Sequence, residues 1–289
     1  MKNKVLILGS QGTLGQSLVN EFQKNGYEVV AWDRGDLDVT APDAPKKIKD
    51  LHPQIIINAI AYNAVNKMET DENERKIAFL INAKAPGILA NTAKSIGAIF
   101  VHYSTSYVFP GDKKEGYRET DTPGPVDIYG ESKLEGEKAV EKVGGKYYIL
   151  RLSRLFGVKG ASEMSKRTFV DIMITEIDKS ELEVGDTEVS SLTYAPDLAK
   201  VTRKIVEENK PYGIYHSANE GLCTWYEWAK EIFKDLGKGP KVIPAKHTLT
   251  PGGVKHPQYS GLINTKLSKQ RTWQEALKEF IEAEYKNQK

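Results

Sequence analysis

Residues 4–15, KVLILGSQGTLG, decide the fold class of this chain. The apolar run at the start of this stretch predicts a buried strand over Lys4–Leu8. The glycines at positions 9, 12 and 15 predict a tight turn, and the residues around and after it predict a helix over Thr13–Asn25. A strand, a glycine-rich turn and a helix in this order are typical of the start of an alternating α/β domain.

The glycine-rich turn suits the pyrophosphate of a dinucleotide. Glycine allows the backbone to approach a ligand closely, and the N-terminus of the following helix presents free N–H groups and partial positive charge. Strand-to-helix turns also contain glycine for purely structural reasons, so the turn alone does not establish a nucleotide site. Its position at the start of alternating strands and helices favours the nucleotide.

Two side chains at the end of the second predicted strand bear on the choice of cofactor. Asp33 is placed to bind the adenosine ribose, as in NAD, whereas Arg34 is placed to meet the 2′-phosphate of NADP. A solvated strand end is the alternative for both residues. The sequence therefore leaves NADH and NADPH open.

Strands alternate with helices through the first half of the chain. Further strands are predicted at Glu28–Asp33, Ile55–Asn58, Ile99–Ser104 and Tyr147–Leu152, and further helices at Glu74–Ser95 and Ile128–Val143. This alternation predicts an α/β fold, a Rossmann-type doubly wound parallel sheet. We expect residues 1–156 to form the NAD(P)-binding domain.

The alternation weakens after residue 156. Helices are predicted at Phe169–Lys179, Tyr194–Glu208, Thr224–Leu236 and Trp273–Lys286, and short strands at Leu182–Val184 and Gly213–Ser217. We expect residues 157–289 to form mainly a smaller C-terminal α/β lobe that binds the substrate, with some segments returning to the first domain. Such a lobe would cover the carboxyl edge of the sheet, where open α/β sheets bind ligands.

The composition is that of an ordinary soluble globular protein. Among 289 residues, 41 basic and 39 acidic side chains nearly balance, which gives no reason to expect nucleic-acid or membrane binding. The single cysteine, Cys223, excludes an internal disulfide, and the histidines are too scattered to predict a metal site. The first apolar run is too short for a signal peptide or a membrane helix, so we expect a cytoplasmic protein.

Tyr129 and Lys133, four residues apart, lie on one face of a predicted helix. A tyrosine can protonate a carbonyl oxygen during ketone reduction if a nearby cation lowers its pKa from about 10. The same spacing recurs twice near the C-terminus, where packing or surface roles are expected, so the spacing alone is weak. Thr105 distinguishes this pair, because it ends the predicted strand Ile99–Ser104 and its hydroxyl can bond the same carbonyl oxygen.

Several longer segments resemble the extended short-chain dehydrogenase/reductases, and within them the dTDP-4-dehydrorhamnose reductase family. The resemblance runs through nearly the whole chain. The segments that carry it are GSQGTLG at 9–15, Asp38-Val39, INAIAYNAVNKMETDEN at 57–73, INAKAPGILANTAKSIGA at 81–98, HYSTSYVFPG at 102–111, IYGESKLEGE at 128–137 and GIYHSANEGLCTWYEWAKEIF at 213–233.

The resemblance implies a reductase that uses NADPH or NADH on the 4-keto group of a nucleotide-linked deoxysugar, as a monomer or homodimer. It implies Thr105, Tyr129 and Lys133 as the catalytic set. Val65 and Tyr107 match positions that face the sugar. Cofactor contacts are implied, beside Tyr129 and Lys133, at Gly9, Gln11, Gly12, Leu14, Gly15, Asp38, Val39, Ala59, Ala61, Tyr62 and Asn82.

The resemblance weakens on the substrate side. The family usually has a tryptophan against the sugar where this chain has Arg154, and an asparagine pair where this chain has Arg167 and Thr168. The family's Arg-Pro near the C-terminus appears here as His256-Pro257. Arg154 and Arg167 are either surface residues or ligands of a diphosphate or an added carboxylate, to which a guanidinium binds in a bidentate manner.

The altered pocket leaves two alternatives to a reductase. One is a non-catalytic regulatory protein of the same fold that binds a sugar nucleotide or cofactor, which the intact Thr105, Tyr129 and Lys133 oppose. The other is an epimerase or dehydratase of the superfamily, which would show no net oxidation of NADH or NADPH. A dehydratase would usually also have acidic residues after the catalytic threonine, where this chain has Ser106 and Tyr107.

Overall fold

The computed structural model describes residues 3–162, 165–246 and 255–286. Its central sheet has six strands: β1 (Lys4–Leu8), β2 (Glu28–Trp32), β3 (Ile55–Asn58), β4 (Ile99–Thr105), β5 (Tyr147–Leu152) and β10 (Gly213–His216). All neighbours pair in parallel, in the order β2–β1–β3–β4–β5–β10. The chain leaves β1 towards β2 and returns to β3 on the other side, so a topological switch point lies between β1 and β3. The predicted Rossmann-type doubly wound sheet is confirmed.

Helices cover both faces of this sheet. They are α1 (Thr13–Lys24), α2 (Ala44–Asp50), α3 (Val65–Thr70), α4 (Glu72–Phe79), α5 (Ala85–Ser95), α6 (Ile128–Val143) and α8 (Ala195–Glu207). Helices α1 and α8 pack on one face, over a core that includes Ile7 and Ile57. Helices α2, α5 and α6 pack on the other face, over Leu6 and Ile56. Successive residues of a strand point to opposite faces, and both faces are buried, which is why the strands are almost continuously apolar.

The C-terminal lobe has its own core around Phe156, Trp228 and Phe280. Its helices are α7 (Phe169–Thr175), α9 (Trp225–Leu236) and α10 (Trp273–Ile281), and its short strands are β6 (Leu155–Phe156), β7 (Glu181–Gly185), β8 (Val189–Ser190), β9 (Thr193–Tyr194), β11 (Cys223–Thr224), β12 (Lys241–Ala245) and β13 (Tyr259–Ser260). Strands β11 and β13 flank β8, while β12 pairs with β7 and β9 pairs with β6. Helix α8 and strand β10 belong to the layers of the central sheet. The division at residue 156 stays a prediction.

The long helical segment predicted around Glu74–Ser95 is present, but it is not one regular α-helix, because a π-helical turn over Leu80–Lys84 joins α4 to α5. Pro86 lies in the first turn of α5 and has no backbone N–H to donate to the carbonyl of Asn82, four residues earlier. That carbonyl faces α6, where a Cβ on Gly136 would collide with it. The interruption therefore sits where two helices approach each other most closely.

Two C-terminal helices end earlier than predicted. Helix α7 ends at Thr175 rather than Lys179, and α10 ends at Ile281, where a π-helical turn over Glu282–Lys286 follows. At the end of α7, the hydroxyl of Thr175 donates to the carbonyl of Ile172 at 2.7 Å. The side chain competes with the backbone for this carbonyl, which favours ending the helix there.

Candidate active site

The glycine-rich turn lies at the switch point, beside the carboxyl ends of β1 and β3. Gly9 has a φ of +77°, and a Cβ there would come within 3.1 Å of the backbone of Ala59. A Cβ on Gly15 would collide with the carbonyl oxygen of Gly9, so only glycine lets α1 pack against the turn. Gly12 precedes α1 and has no side chain to cap it, so the first N–H groups of the helix suit an anion. These features fit a dinucleotide pyrophosphate.

Asp33 holds the glycine-rich turn in place. One of its carboxylate oxygens accepts from the N–H of Gln11 at 3.0 Å, and the other accepts from the N–H of Arg34 at 2.8 Å. The Arg34 side chain is exposed. Leu14 is buried in the core below the turn, which leaves only its backbone for a ligand. Asp33 and Arg34 thus lie beside the turn, where the ribose end of a dinucleotide is expected.

Asp38 and Val39 follow β2 and face opposite environments. The Asp38 carboxylate accepts from the hydroxyl of Thr40 at 2.6 Å and from its N–H at 2.9 Å. These hydrogen bonds lower the pKa of Asp38, which is exposed and therefore charged. Val39 is buried in the core on the α2 side of the sheet. Of these two residues, only Asp38 presents its side chain to solvent.

Asn82 fixes the loop that follows β3 and carries Ala59, Ala61 and Tyr62. Its side-chain oxygen accepts from the N–H of Tyr62, and its amide nitrogen donates to the Tyr62 carbonyl, both at 2.8 Å. The same nitrogen donates to the hydroxyl of Ser132 on α6 at 3.0 Å. Asn82 is fully buried, so it ties the predicted cofactor groove to the helix of the Tyr–Lys pair.

Thr105 and Tyr129 meet at the carboxyl end of β4. Thr105 is the last residue of β4, and Tyr129 lies in the first turn of α6. Asp127 caps α6, because its Oδ1 accepts from the N–H of Gly130 at 2.7 Å. A Cβ on Gly130 would collide with the carbonyl of Tyr107, so glycine lets α6 approach the loop after β4. The Thr105 hydroxyl lies near the phenol of Tyr129 and acts on its pKa.

Burial controls the protonation of Tyr129. It raises the pKa of the phenol to about 12, and the hydrogen bond with Thr105 opposes this rise. Tyr129 is therefore protonated at neutral pH, as a proton donor must be before it reacts. That Lys133 also lowers the pKa of Tyr129, as expected from the sequence, stays a prediction.

Lys133 lies one turn after Tyr129 on α6 and is buried. Its ammonium group donates to the carbonyl of Tyr103 at 2.6 Å. Burial lowers the pKa of Lys133 to about 8, and the negative charge of Glu137 opposes that shift. The predicted catalytic set is thus brought to one place, where β4 and α6 meet.

Tyr107 connects this set to the substrate side. Its ring meets the ring of Tyr129 edge-on, with centroids 5.8 Å apart. The charges of Glu188 and Arg154 both act on the pKa of Tyr107, which burial raises above its usual range. Tyr107 therefore lies between the predicted proton donor and a charged cluster from the C-terminal lobe.

Arg154 is the centre of that cluster. Its guanidinium lies 3.8 Å from the centroid of the Trp225 ring and donates to the carbonyls of Cys223 and Glu188, each at 3.2 Å. The Arg154 side chain is 5% exposed, and its Nη2 lies 3.7 Å from the Glu188 carboxylate. The indole N–H of Trp225 also donates to that carboxylate at 3.0 Å. Of the two alternatives for Arg154, a surface residue is excluded.

Arg167 is exposed and lies on the segment between β6 and α7. Its neighbour Lys166 donates to the carbonyl of Asn63 at 3.1 Å. Val65, which begins α3, follows two residues after Asn63. The segment of Arg167 therefore approaches the loop before Val65, a contact between distant parts of the chain that the sequence did not predict.

Asp127 and His256 form a further pair beside Tyr107. The Nδ1 of His256 lies 3.7 Å from the Oδ2 of Asp127, and this nearby carboxylate raises the pKa of His256. The His256 ring centroid lies 5.9 Å from that of Tyr107. From the sequence, His256 was considered only as the residue that stands in place of a family arginine. Asp127 was not identified as a site residue. An aspartate directly before a predicted helix is an N-cap signal that identifies Asp127.

Metal-binding clusters and membrane-spanning helices are both absent from the residues that the structure describes. In residues 3–162, 165–246 and 255–286, no group of three histidine, cysteine, aspartate or glutamate side chains is placed to hold a metal ion. Within these ranges no helix is long and apolar enough to cross a membrane. That the protein needs no metal stays a prediction.

Comparison with known proteins covers almost the whole chain. The family model described as RmlD substrate binding domain matches residues 2–286. A dTDP-4-dehydrorhamnose reductase from Aggregatibacter actinomycetemcomitans is 35% identical over 295 residues, covering 95% of this chain and 97% of that protein. The spore coat polysaccharide biosynthesis protein SpsK of Bacillus subtilis (strain 168) is 32% identical over 285 residues, covering 96% of this chain and 97% of that protein.

A solved structure matches equally well. The dTDP-4-dehydrorhamnose reductase of Bacillus anthracis str. Ames, in complex with NADP, has a TM-score of 0.90 and 33% identity to this chain. The match covers 97% of this chain and 99% of that one. The family resemblance seen in the sequence is therefore confirmed. This chain belongs to the dTDP-4-dehydrorhamnose reductase family, whose model describes the RmlD substrate binding domain.

Proposed function

We propose that this chain reduces the 4-keto group of a dTDP-linked deoxysugar, such as dTDP-4-dehydrorhamnose, with NADPH or NADH. The observation that carries the proposal is the convergence of Thr105, Tyr129 and the buried Lys133 where the end of β4 meets the first turns of α6. The names of the relatives support the substrate class, since they include dTDP-4-dehydrorhamnose reductases. The glycine turn supports the cofactor.

The cofactor is held by residues along the carboxyl edge of the sheet. Gly9, Gly12 and Gly15 make room for the pyrophosphate, and the N-terminus of α1 stabilises its charge. Lys133 would hold the nicotinamide ribose, and Arg34 would meet a 2′-phosphate. When bound, the cofactor supplies the hydride for the keto carbon.

Tyr129 donates its phenolic proton to the carbonyl oxygen as negative charge develops there. The Thr105 hydroxyl donates a hydrogen bond to the same carbonyl oxygen. A charged Lys133 stabilises the tyrosinate that remains after the transfer. Val65 and Tyr107 face the sugar, and Arg154 and Arg167 remain candidates for contact with its diphosphate.

The experiment is the oxidation of NADPH and NADH, followed at the nicotinamide absorbance, with dTDP-4-dehydro-6-deoxy-L-mannose. Tyr129→Phe removes the acid and keeps the ring, so we expect a loss of turnover of about 10²- to 10⁴-fold with cofactor affinity nearly unchanged. A Tyr129→Phe variant that keeps most of its rate would exclude Tyr129 as the proton donor. Net cofactor oxidation also excludes an epimerase or dehydratase, both of which regenerate the cofactor.

A second candidate is a regulatory protein that binds cofactor or sugar nucleotide without turnover. It is favoured by the buried cluster of Arg154, Glu188 and Trp225, which stands where the family usually has a tryptophan against the sugar. Cofactor binding measured by calorimetry, without oxidation on any dTDP-linked keto-sugar, would support this candidate. The cytoplasmic location and the monomeric or homodimeric state stay predictions.

A further inference from the structure

Glu137 and Arg151 form a buried ion pair below the candidate catalytic residues. Glu137 lies on α6 and Arg151 on β5, and their side chains are 1% and 2% exposed. The two carboxylate oxygens accept from Arg151 Nε at 2.9 Å and from Arg151 Nη2 at 2.7 Å. This bidentate geometry fixes both side chains and keeps the buried carboxylate charged.

The carboxylate of Glu137 lies on the same face of α6 as Lys133, one turn further along the helix. The Lys133 ammonium donates to the carbonyl of Tyr103, which is a neutral acceptor. A buried ammonium that has only neutral partners tends to lose its proton. A nearby carboxylate favours the charged form of the ammonium. The direction of the pKa shifts agrees, because burial lowers the pKa of Lys133 and Glu137 raises it.

The other titratable groups around Lys133 do not supply this negative charge. His102 on β4 is fully buried, and burial together with the charge of Lys133 lowers its pKa well below the usual value, so it is neutral. Its Nδ1 lies 3.2 Å from the amide nitrogen of Asn58, which is also neutral. Tyr129 is protonated, with a pKa of about 12. Arg151 is positive and acts through its pairing with Glu137.

We infer that Glu137, held in place by Arg151, is a positioning residue that keeps the buried Lys133 charged for its contact with the cofactor. Only the use of this charge in reduction rests on the proposed function. The charge state of Lys133 is a property of the chain itself and can be measured without cofactor or substrate.

The test is an NMR titration of the full chain labelled with ε-¹³C lysine, with the Lys133 signal assigned by its loss in Lys133→Met. Glu137→Gln removes the charge and keeps the size of the side chain. We expect the Lys133 titration to move to lower pH by about one unit or more, as for the loss of a nearby opposite charge. Glu135→Gln is the matched control, since it removes the same charge from a more exposed position on α6 and should leave the titration in place.

Glu137→Gln leaves Arg151 buried without its partner and can therefore unfold the chain. The double variant Glu137→Leu/Arg151→Met removes both charges at similar volume and provides the second test. There we expect a shift in the same direction but smaller, because the positive charge of Arg151 is lost as well. An unchanged Lys133 titration in either folded variant overturns the inference.

Kinetics separate this inference from the proposed function. If the wild-type chain reduces the keto-sugar, the high-pH limb of its kcat profile should move in Glu137→Gln by the same amount as the NMR titration. If the wild-type chain shows no reduction, the proposed function fails, but the titration still decides whether Glu137 sets the charge of Lys133.

Discussion

The hydroxyl of Thr105 at the end of β4 acts on the phenol of Tyr129 on α6 and lowers the pKa that burial raises. The Thr105 oxygen accepts from the N–H of Tyr107 at 3.2 Å, which fixes the threonine side chain on the last residue of the strand. Two hydroxyls that belong to different elements thus lie near each other before any ligand binds. A carbonyl oxygen that enters between them meets two donors without further rearrangement of the backbone.

Thr105→Val removes this hydroxyl and keeps the size of the side chain. We expect kcat to fall about 100-fold or more, as for the loss of one donor to a developing negative charge. The pKa of Tyr129 should also rise, because the hydrogen bond with Thr105 lowers it. Steady-state kinetics on the keto-sugar check the prediction, with Thr105→Ser as the control that keeps the hydroxyl. A valine variant as active as the serine variant would contradict it.

Lys133 should make the free energy of unfolding depend on pH in the alkaline range. Its pKa is about 8 in the folded chain and 10.5 for a free lysine, so between these values the unfolded state binds the proton and the folded state does not. The free energy of unfolding should therefore rise with pH in this window and show no slope from Lys133 below it. Urea denaturation across the window, compared with Lys133→Met, measures the effect. Equal slopes in the two proteins would show that the pKa of Lys133 is not depressed.

Gly15→Ala should damage the cofactor site. The added methyl group would collide with the carbonyl of Gly9, so the turn and α1 must separate, at a cost of about 1–3 kcal/mol. We expect the Kd for NADPH to rise about tenfold or more, measured by fluorescence titration. Gly35→Ala is the control, because a Cβ there meets no atom within 4 Å. Similar Kd values for the two variants would argue against close packing at Gly15.

Arg154→Met should destabilise the C-terminal lobe. It removes the cation from the face of Trp225 and leaves the buried carboxylate of Glu188 without its ion pair. We expect a loss of about 2–5 kcal/mol in the free energy of unfolding, together with a change in tryptophan fluorescence. Arg167→Met makes the same substitution at an exposed position and should have little effect. Equal stabilities would mean that Arg154 is not part of the folded core.

The central sheet and the main helices beside the site could be predicted from the sequence alone. Helix Ile128–Val143 and strand Tyr147–Leu152 have the bounds predicted for them, because local signals define their ends. Asp127 is a strong N-cap, Gly144 has the positive φ that suits a helix end, and the strand is an apolar run interrupted by Arg151. Local signals also identified the three predicted catalytic residues. Thr105 ends a predicted strand, and Tyr129 and Lys133 lie on one face of a predicted helix.

The side chains around these residues could be identified only from the tertiary structure. The stacking of Arg154 on Trp225, the pairing of His256 with Asp127, and the ion pair of Glu137 join residues far apart in sequence or on different elements. No local pattern specifies such partners, because burial and charge pairing depend on which surfaces the folded chain brings together.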